Sequence, residues 1–361
     1  MRARKRILIL IPNMGGGGAQ RVIATLLKHL DRSKFEPMLG VLDRSRDVFA
    51  SHVPPDVPLL DLKAERVRYA LPAALRLIWR TRPDVVMSTL DHLNLALAVT
   101  RPVWPRGVRC ALRLTNTMSA EEWLNRLAMP LFLRFADVLI YQSQSMKEVF
   151  ERALGIGAVP SRVLANPVDL QAVRRLAEEP AEDIGLDPDA FNLMAVGRLD
   201  TIKGFDIAID AMDLVKDKTV TLTILGEGEQ RADLTARIRA RGLQDRIRVI
   251  GFKPNPYPLM RRANALLLCS RYEGFPNVVL EALGLGVPVI ATPVAGVPEL
   301  LTGVPGCAVA SAIDAPALAA AIDYANANRG VPSESAVDAY DAANATLGYE
   351  NVFLELAALP S

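Results

Sequence analysis

Apolar residues run along this chain in two rhythms. Short unbroken runs at 6–12 (RILILIP), 37–42 (PMLGVL), 84–89 (DVVMST), 109–115 (RCALRLT) and 137–143 (DVLIYQS) predict strands buried on both faces. Between several of them apolar residues recur three and four apart, the period of a helix with one face on a core; GGGGAQRVIATLLKHL at 15–30 is such a segment. The rhythm breaks over 166–191, NPVDLQAVRRLAEEPAEDIGLDPDAF, where prolines and acids predict an interdomain connection. It resumes with FNLMAVGRL, VTLTILG, IRVIGF, NALLLCS and VPVIAT, each followed by helical or turn sequence. Alternating strand and helix predict open parallel sheets, and 361 residues give room for two domains of ordinary size. The expected architecture is α/β: two doubly wound Rossmann-like parallel-sheet domains facing an interdomain cleft, residues 1–168 and 169–340. A last helical stretch, 341–361, is expected to pack back on the first domain.

Composition narrows the setting. Three cysteines, Cys110, Cys269 and Cys307, are far apart and odd in number, so neither a disulfide framework nor a metal spacing follows. The opening apolar run stops after about six residues, short of a signal-peptide core. The longest uncharged stretch, 282–298, carries three prolines and three glycines, which a spanning helix accommodates badly. A cytoplasmic protein with no nucleic-acid partner is expected. Its net charge of +2 hides +11 over residues 1–166 and −9 over 167–361. A basic half suggests an anionic partner: a phosphorylated acceptor, or the headgroups at the inner face of a membrane. A solvated basic surface is the plain alternative.

Candidate chemistry gathers in RYEGFPNVVLEALGLGVPVIAT, 271–292. Pro276 disfavours helix at Phe275 and suits the first helical position, leaving Glu273 in the loop and Glu281 in the helix. Free N–H groups near Gly274, Phe275 and Asn277 would suit a phosphate. The two acids would then grip a nucleotide sugar, Glu281 at the ribose diol and Glu273 at the sugar. A buried carboxylate without a partner is costly, so hydroxyls would account for Glu281; a salt bridge to an arginine is the alternative. In VGRLDTIKG, Arg198 ends a strand and Lys203 follows five residues on, a pair able to neutralise a diphosphate or simply to lie on the surface. Gly15–Gly18 let backbone approach a ligand at a helix start, but no Gly-Lys-Ser/Thr follows, and GEGEQR at 226–231 is a poor dinucleotide signature.

Together these segments resemble the retaining glycosyltransferases of family 4, with their two-domain GT-B fold. VGRLDTIKG, ILGEGEQRADL, RIRVIGF and EGFPNVVLEALGLGVPVIATPVAGVPEL follow that family's order and spacing, and the Glu-x7-Glu pair is its hallmark. The resemblance implies an N-terminal acceptor domain and a C-terminal nucleotide-sugar domain. It implies that Arg198 and Lys203 bind the donor diphosphate, Glu281 the ribose, Glu273 the transferred sugar, and backbone around Phe252 and Lys253 the base. Arg198, Lys203 and Glu273 are the implied catalytic set; Gly17, Gly18, Gly274, Phe275 and Asn277 complete the donor site. GGGGAQRV is similar to the family's GG-x-E-R segment with Gln20 where many members carry Glu, as in the phosphatidylinositol mannosyltransferase branch. LRLTNTMS resembles the Arg-Glu-Ser-Asn segment of some polysaccharide-assembly members; this chain keeps its asparagine, Asn116, and the acid is missing. In LDHLN, His92 and Asn94 are expected at a strand-to-helix turn facing the cleft. Gln20, His92, Asn94 and Asn116 are therefore the acceptor-side candidates.

No metal or other cofactor is implied, since DPD at 187–189 falls in the expected connection and Arg198, Lys203 and helix N-termini supply positive charge. WLNRLAMPLFLRF at 123–135 has aromatic and arginine residues at roughly helical spacing and is a candidate for membrane contact, or an ordinary domain helix. The expectation is retaining transfer from a nucleotide sugar, UDP first, to a hydroxyl of a lipid-linked or cell-surface glycan precursor. A nucleotide-sugar epimerase of the same fold and a non-catalytic nucleotide-sugar binder stand as alternatives. A nicotinamide dehydrogenase lacks its glycine fingerprint and distal acid in both halves.

Overall fold

The computed structural model describes residues 4–15, 17–44, 49–64, 67–115 and 130–360, with the side chains of 67 and 68 left aside. They divide into two compact units, Met1–Val168 with Tyr340–Ser361, and Asp169–Ala339.

The first unit carries seven parallel strands: β1 (Lys5–Ile11), β2 (Phe35–Val41), β3 (Leu59–Asp61), β4 (Val85–Thr89), β5 (Arg109–Arg113), β6 (Val138–Tyr141) and β7 (Ser161–Val163). They lie in the order β3-β2-β1-β4-β5-β6-β7. Ile7 to Ile11 are fully buried, because helices cover both faces of the sheet; that is why the run is unbroken. Four described helices intervene: α1 (Gly18–His29), α2 (Val67–Thr81), α3 (Asp91–Thr100) and α4 (Gln144–Leu154). Ser143 caps α4 by accepting the Met146 N–H, and Gly155 ends it in the left-handed conformation.

The second unit opens with α5 (Leu170–Ala177), then β8 (Asn192–Val196), α6 (Phe205–Leu214), β9 (Thr221–Leu225), α7 (Arg231–Ala240), β10 (Ile247–Gly251) and α8 (Tyr257–Met260). It continues with β11 (Ala265–Leu268), α9 (Asn277–Gly284), β12 (Val289–Ala291), α10 (Val297–Leu301), β13 (Ala308–Val309) and α11 (Ala315–Ala327). Its six strands are parallel in the order β10-β9-β8-β11-β12-β13. Helix α5 lies inside the segment expected to be only a connection. Asp169 caps it, and Leu170, Val173 and Ala177 bury one face. The Leu170 side chain packs where a Cβ on Gly284 would stand, so α5 rests directly on α9.

The chain then returns to the first unit with α12 (Ala342–Ala358). Tyr349, Val352, Phe353 and Leu356 enter the same core as β1 and α1, Phe353 meeting Phe35 edge-on at 6.1 Å between centroids. Buried Glu350 accepts the Asp31 N–H at 2.8 Å and pairs with Lys34 at 3.3 Å. No described helix is long and apolar enough to cross a membrane.

Candidate active site

In each sheet the strand order reverses once, between β1 and β4 and between β8 and β11. Connections leave such a pair in opposite directions, so a crevice opens beyond the carboxyl ends of the two strands. The candidate residues fall at these two places, one constellation on each unit.

In the second unit, β8 runs into Gly197, Arg198 and Leu199. Asp200 follows, largely buried, and fixes the segment with both oxygens. One accepts the Lys203 N–H at 3.1 Å, capping the short turn Thr201–Lys203, and the other accepts Nε of Arg198 at 2.6 Å. Nε is thereby occupied, while the Arg198 side chain stays 73% exposed and its terminal nitrogens have no partner among the described residues. From the β11 side, Glu273 takes two hydrogen bonds on Oε1, from Lys203 Nζ at 2.6 Å and from Ser270 Oγ at 2.7 Å. Glu273 is only 12% exposed and Lys203 28%, so this ion pair is partly shielded from water.

Arg271 stitches the two loops together. Its guanidinium forks onto Asp206 at 2.7 Å through both nitrogens and reaches the Thr201 carbonyl, while its own N–H donates to the Ile202 carbonyl. The hydrogen bonds from Arg271 hold the Asp206 carboxyl below its ordinary range. Gly204 adopts a left-handed φ of 64°, and a side chain there would strike the Cys269 carbonyl. The Cys269 thiol is buried, donates to the Lys203 carbonyl, and is pushed up to about 12 by desolvation, so it is an inert strut.

Gly226 and Gly228 close the other side. A Cβ on either would overlap backbone carbonyls of Gly197 and Leu199, and the loop hydrogen-bonds along that segment, Leu199 N–H to Glu227 O and Gln230 N–H to Leu199 O. GEGEQR is thus a backbone-packing motif that seats the Arg198 segment. An open groove of about 380 Å³ lies there, lined by Arg198, Leu199, Asp200, Thr201, Ile202 and Glu229.

Helix α9 begins at Asn277 with Pro276 in the cap position, one residue later than its sequence suggests, because ψ of 97° at Pro276 is extended. Glu281 is the fifth residue of the helix and 5% exposed, among Val279, Leu280, Ala282 and Leu283. Gly274 and Phe275 lead into it, with Phe275 buried. Phe252 follows β10 with its ring 66% exposed, and Lys253 pairs with Glu182.

In the first unit, Gly17 caps α1 in extended geometry and Gly18 starts it. Gln20 leans over Gly17, its amide 3.5 Å from Asn13 Oδ1. His92 is exposed on the first turn of α3, behind Leu90, whose φ of 78° is unusual for a branched residue. Asn94 corrects the sequence reading: its side chain lies in the core rather than facing outward. It is fully buried, accepts Ser88 Oγ at 2.5 Å and donates to the Arg113 carbonyl at 2.8 Å. Its amide ties β4, β5 and α3 together beneath the Leu90 turn. Asn116 and most of 123–135 lie outside the described residues.

Sequence reasoning missed Asp200, Ser270, Arg271 and Asp206. Asp200 had a signal, since an Asp three residues ahead of Lys203 at a turn start is a capping pattern. Arg271 and Asp206 depend on a pairing across 65 residues, while Ser270 lies three residues before the Glu273 to which it donates.

Both units are thus doubly wound parallel sheets, with a cation–carboxylate cluster at the switch point of the second. Residues 16–172 match the model of Glycosyltransferase Family 4, and 190–328 that of Glycosyl transferases group 1. The chain belongs to these group 1, family 4 glycosyltransferases. It is 26% identical over 310 residues, 80% of each chain, to the N-acetylgalactosamine-N,N'-diacetylbacillosaminyl-diphospho-undecaprenol 4-alpha-N-acetylgalactosaminyltransferase of Campylobacter jejuni. It is 25% identical over 291 residues to the amylovoran biosynthesis glycosyltransferase AmsD of Erwinia amylovora, covering 79% of this chain and 80% of that one. Among solved structures, Anabaena Alr3699/HepE in complex with UDP-glucose superposes with a TM-score of 0.81 at 20% identity, covering 98% of this chain and 100% of that one.

Proposed function

We propose that this chain transfers a hexose or N-acetylhexosamine from a uridine diphosphate sugar to a hydroxyl of a lipid-linked or cell-surface glycan precursor, with retention at the anomeric carbon. The observation that carries the reading is the Lys203–Glu273 pair held at the β8/β11 switch point beside the exposed guanidinium of Arg198. A departing diphosphate gathers negative charge, and preorganised cations lower the barrier without rearranging. The terminal nitrogens of Arg198 would take phosphate oxygens. Lys203 has three N–H donors and can bridge Glu273 and a phosphate oxygen at once. The first N–H groups of α9 add positive potential, and Glu281 one turn further would receive the ribose hydroxyls. Glu273 would hold the sugar.

In the transfer, the bond between the anomeric carbon and the diphosphate oxygen breaks and one to the acceptor oxygen forms on the same face. The acceptor's proton passes to the departing phosphate oxygen, so no side chain acts as a strong nucleophile. Positioning and charge stabilisation are the enzyme's share, and no divalent cation is needed. Support for uridine comes from the solved neighbours that hold UDP and UDP-glucose, and for a lipid-linked acceptor from the name of the Campylobacter relative.

The test is nucleotide release from a panel of UDP-, GDP- and ADP-sugars, with and without a membrane-lipid extract, in the presence of a chelator. Release from one UDP-sugar, accelerated by the extract and indifferent to the chelator, with an anomer matching the donor's by NMR, is expected. Faster release from a GDP- or ADP-sugar, dependence on the metal, or an inverted anomer would each overturn that part of the reading.

A further inference from the structure

Strand β5 ends on a charge where its neighbours are apolar. Cys110, Ala111 and Leu112 are fully buried, and the Arg113 side chain that follows is only 1% exposed. Its guanidinium has no carboxylate partner among the described residues. Nε donates to the Tyr349 hydroxyl at 3.2 Å, one terminal nitrogen to Thr89 Oγ1 at 3.0 Å, and the other to Asn166 Oδ1. Taking a guanidinium out of water is costly, and neutral acceptors repay less of that cost than a carboxylate would, so stability does not account for an arginine here. What the rigid fork supplies is geometry. One planar group holds the end of β4, the chain after β7 and helix α12 in fixed relation.

Thr89 leads directly into strained backbone. Leu90 has φ of 78° and ψ of 131°, a conformation that a residue with a Cβ keeps only where its surroundings over-determine it. Those surroundings are specific. Asn94 donates to the Arg113 carbonyl at 2.8 Å and accepts Ser88 Oγ at 2.5 Å, and the Leu90 carbonyl accepts the N–H groups of Leu93 at 3.1 Å and Asn94 at 3.0 Å. Arg113 therefore grips the turn twice, through its side chain on Thr89 and through its carbonyl on Asn94. The turn stands at the β1/β4 switch point, beyond the carboxyl end of β4, and carries exposed His92 on the first turn of α3.

We infer that Arg113 is a positioning residue for the acceptor side of the transfer: it holds Leu90 in its strained conformation, so that His92 and the start of α3 stand preset for the hydroxyl-bearing glycan. The inference rests on the proposed transfer and on His92 as an acceptor contact. Arg113 is too buried to touch a substrate and acts through the turn. Releasing the turn lets the start of α3 shift and misplaces the acceptor, while the donor groups of the second unit keep their own supports.

The experiment compares Thr89→Val with Tyr349→Phe. Each removes one hydroxyl from the same guanidinium, so each is expected to melt below the wild type, but only the first frees the turn. The membrane-lipid extract is titrated at a saturating level of the UDP-sugar selected by the donor panel. Thr89→Val is expected to lower kcat/KM for the extract about 100-fold, the scale for reacting groups misplaced by about 1 Å, and Tyr349→Phe to leave it close to the wild type. UDP affinity by calorimetry should be unchanged in both. Arg113→Lys keeps the charge and loses the fork, so it should follow Thr89→Val. A readout that needs no acceptor is hydrogen exchange of the Leu93 and Asn94 amides, expected to quicken in Thr89→Val and not in Tyr349→Phe. Equal kinetic losses in the two hydroxyl variants, or unaltered exchange in Thr89→Val, would overturn the inference and leave Arg113 as packing alone. A wild type that the extract does not accelerate would count against the proposed acceptor, and the exchange comparison would still decide whether Arg113 sets the turn.

Discussion

Glu273 has its Oε1 hydrogen-bonded to Lys203 and Ser270 and is poorly exposed, so its charge is positioned before any ligand arrives. Glu273→Gln keeps the shape and removes the charge. We expect UDP binding to be retained within a few-fold by calorimetry and turnover to fall about 10²–10³-fold, the usual scale for one electrostatic group in a site. Wild-type turnover would remove Glu273 from the chemistry. At this scale the sequence was uneven as a guide. Local order carried Arg198 and Lys203, because both follow a strand whose apolar run is unmistakable. Asn94 was misjudged because its burial depends on Ser88 and on the Arg113 carbonyl, nineteen residues away, which no local pattern reveals.

Among the elements, most strands foreseen from apolar runs are covered on both faces; β10, an edge strand of five residues with Arg248 exposed, is the exception. The three that went unread, β3, β7 and β13, are sheet-edge strands of two or three residues. An edge strand is half wetted, so its run is short and mixed. Helix α5 hid among prolines and acids for a related reason: only Leu170, Val173 and Ala177 bury. The glycines of GEGEQR belong to this scale too. A methyl on Gly228 would overlap the Leu199 backbone beside Arg198, and such overpacking typically costs about 1–3 kcal/mol. Gly228→Ala should lower the urea midpoint and depress kcat/KM by displacing Arg198. Gly242→Ala, whose added methyl meets nothing within 4 Å, should cost stability through its left-handed φ of 66° alone and leave kcat/KM intact. Equal effects of the two on kcat/KM would count against the seating role.

At the scale of the whole molecule, the second unit is inserted into the first. Val168 and Asp341 form a parallel bridge, with the Val168 N–H on the Tyr340 carbonyl and the Ala342 N–H on the Val168 carbonyl, so the outgoing and returning chain lie side by side. Helix α12 then completes a core begun by β1 and α1. A chain cut after Ala339 should therefore keep a cooperatively melting second unit and expose apolar surface on the first, read as dye binding and two separated transitions. A single sharp transition at the wild-type temperature would show that α12 is dispensable. The same arrangement sets a clock during synthesis. The ribosome must deliver residues 169–341 before α12 emerges, a wait of roughly nine to thirty-five seconds at about 5–20 residues per second. For that interval the nascent first half has no Phe353 to cover Phe35. The contiguous second unit, by contrast, can fold as soon as it clears the exit tunnel.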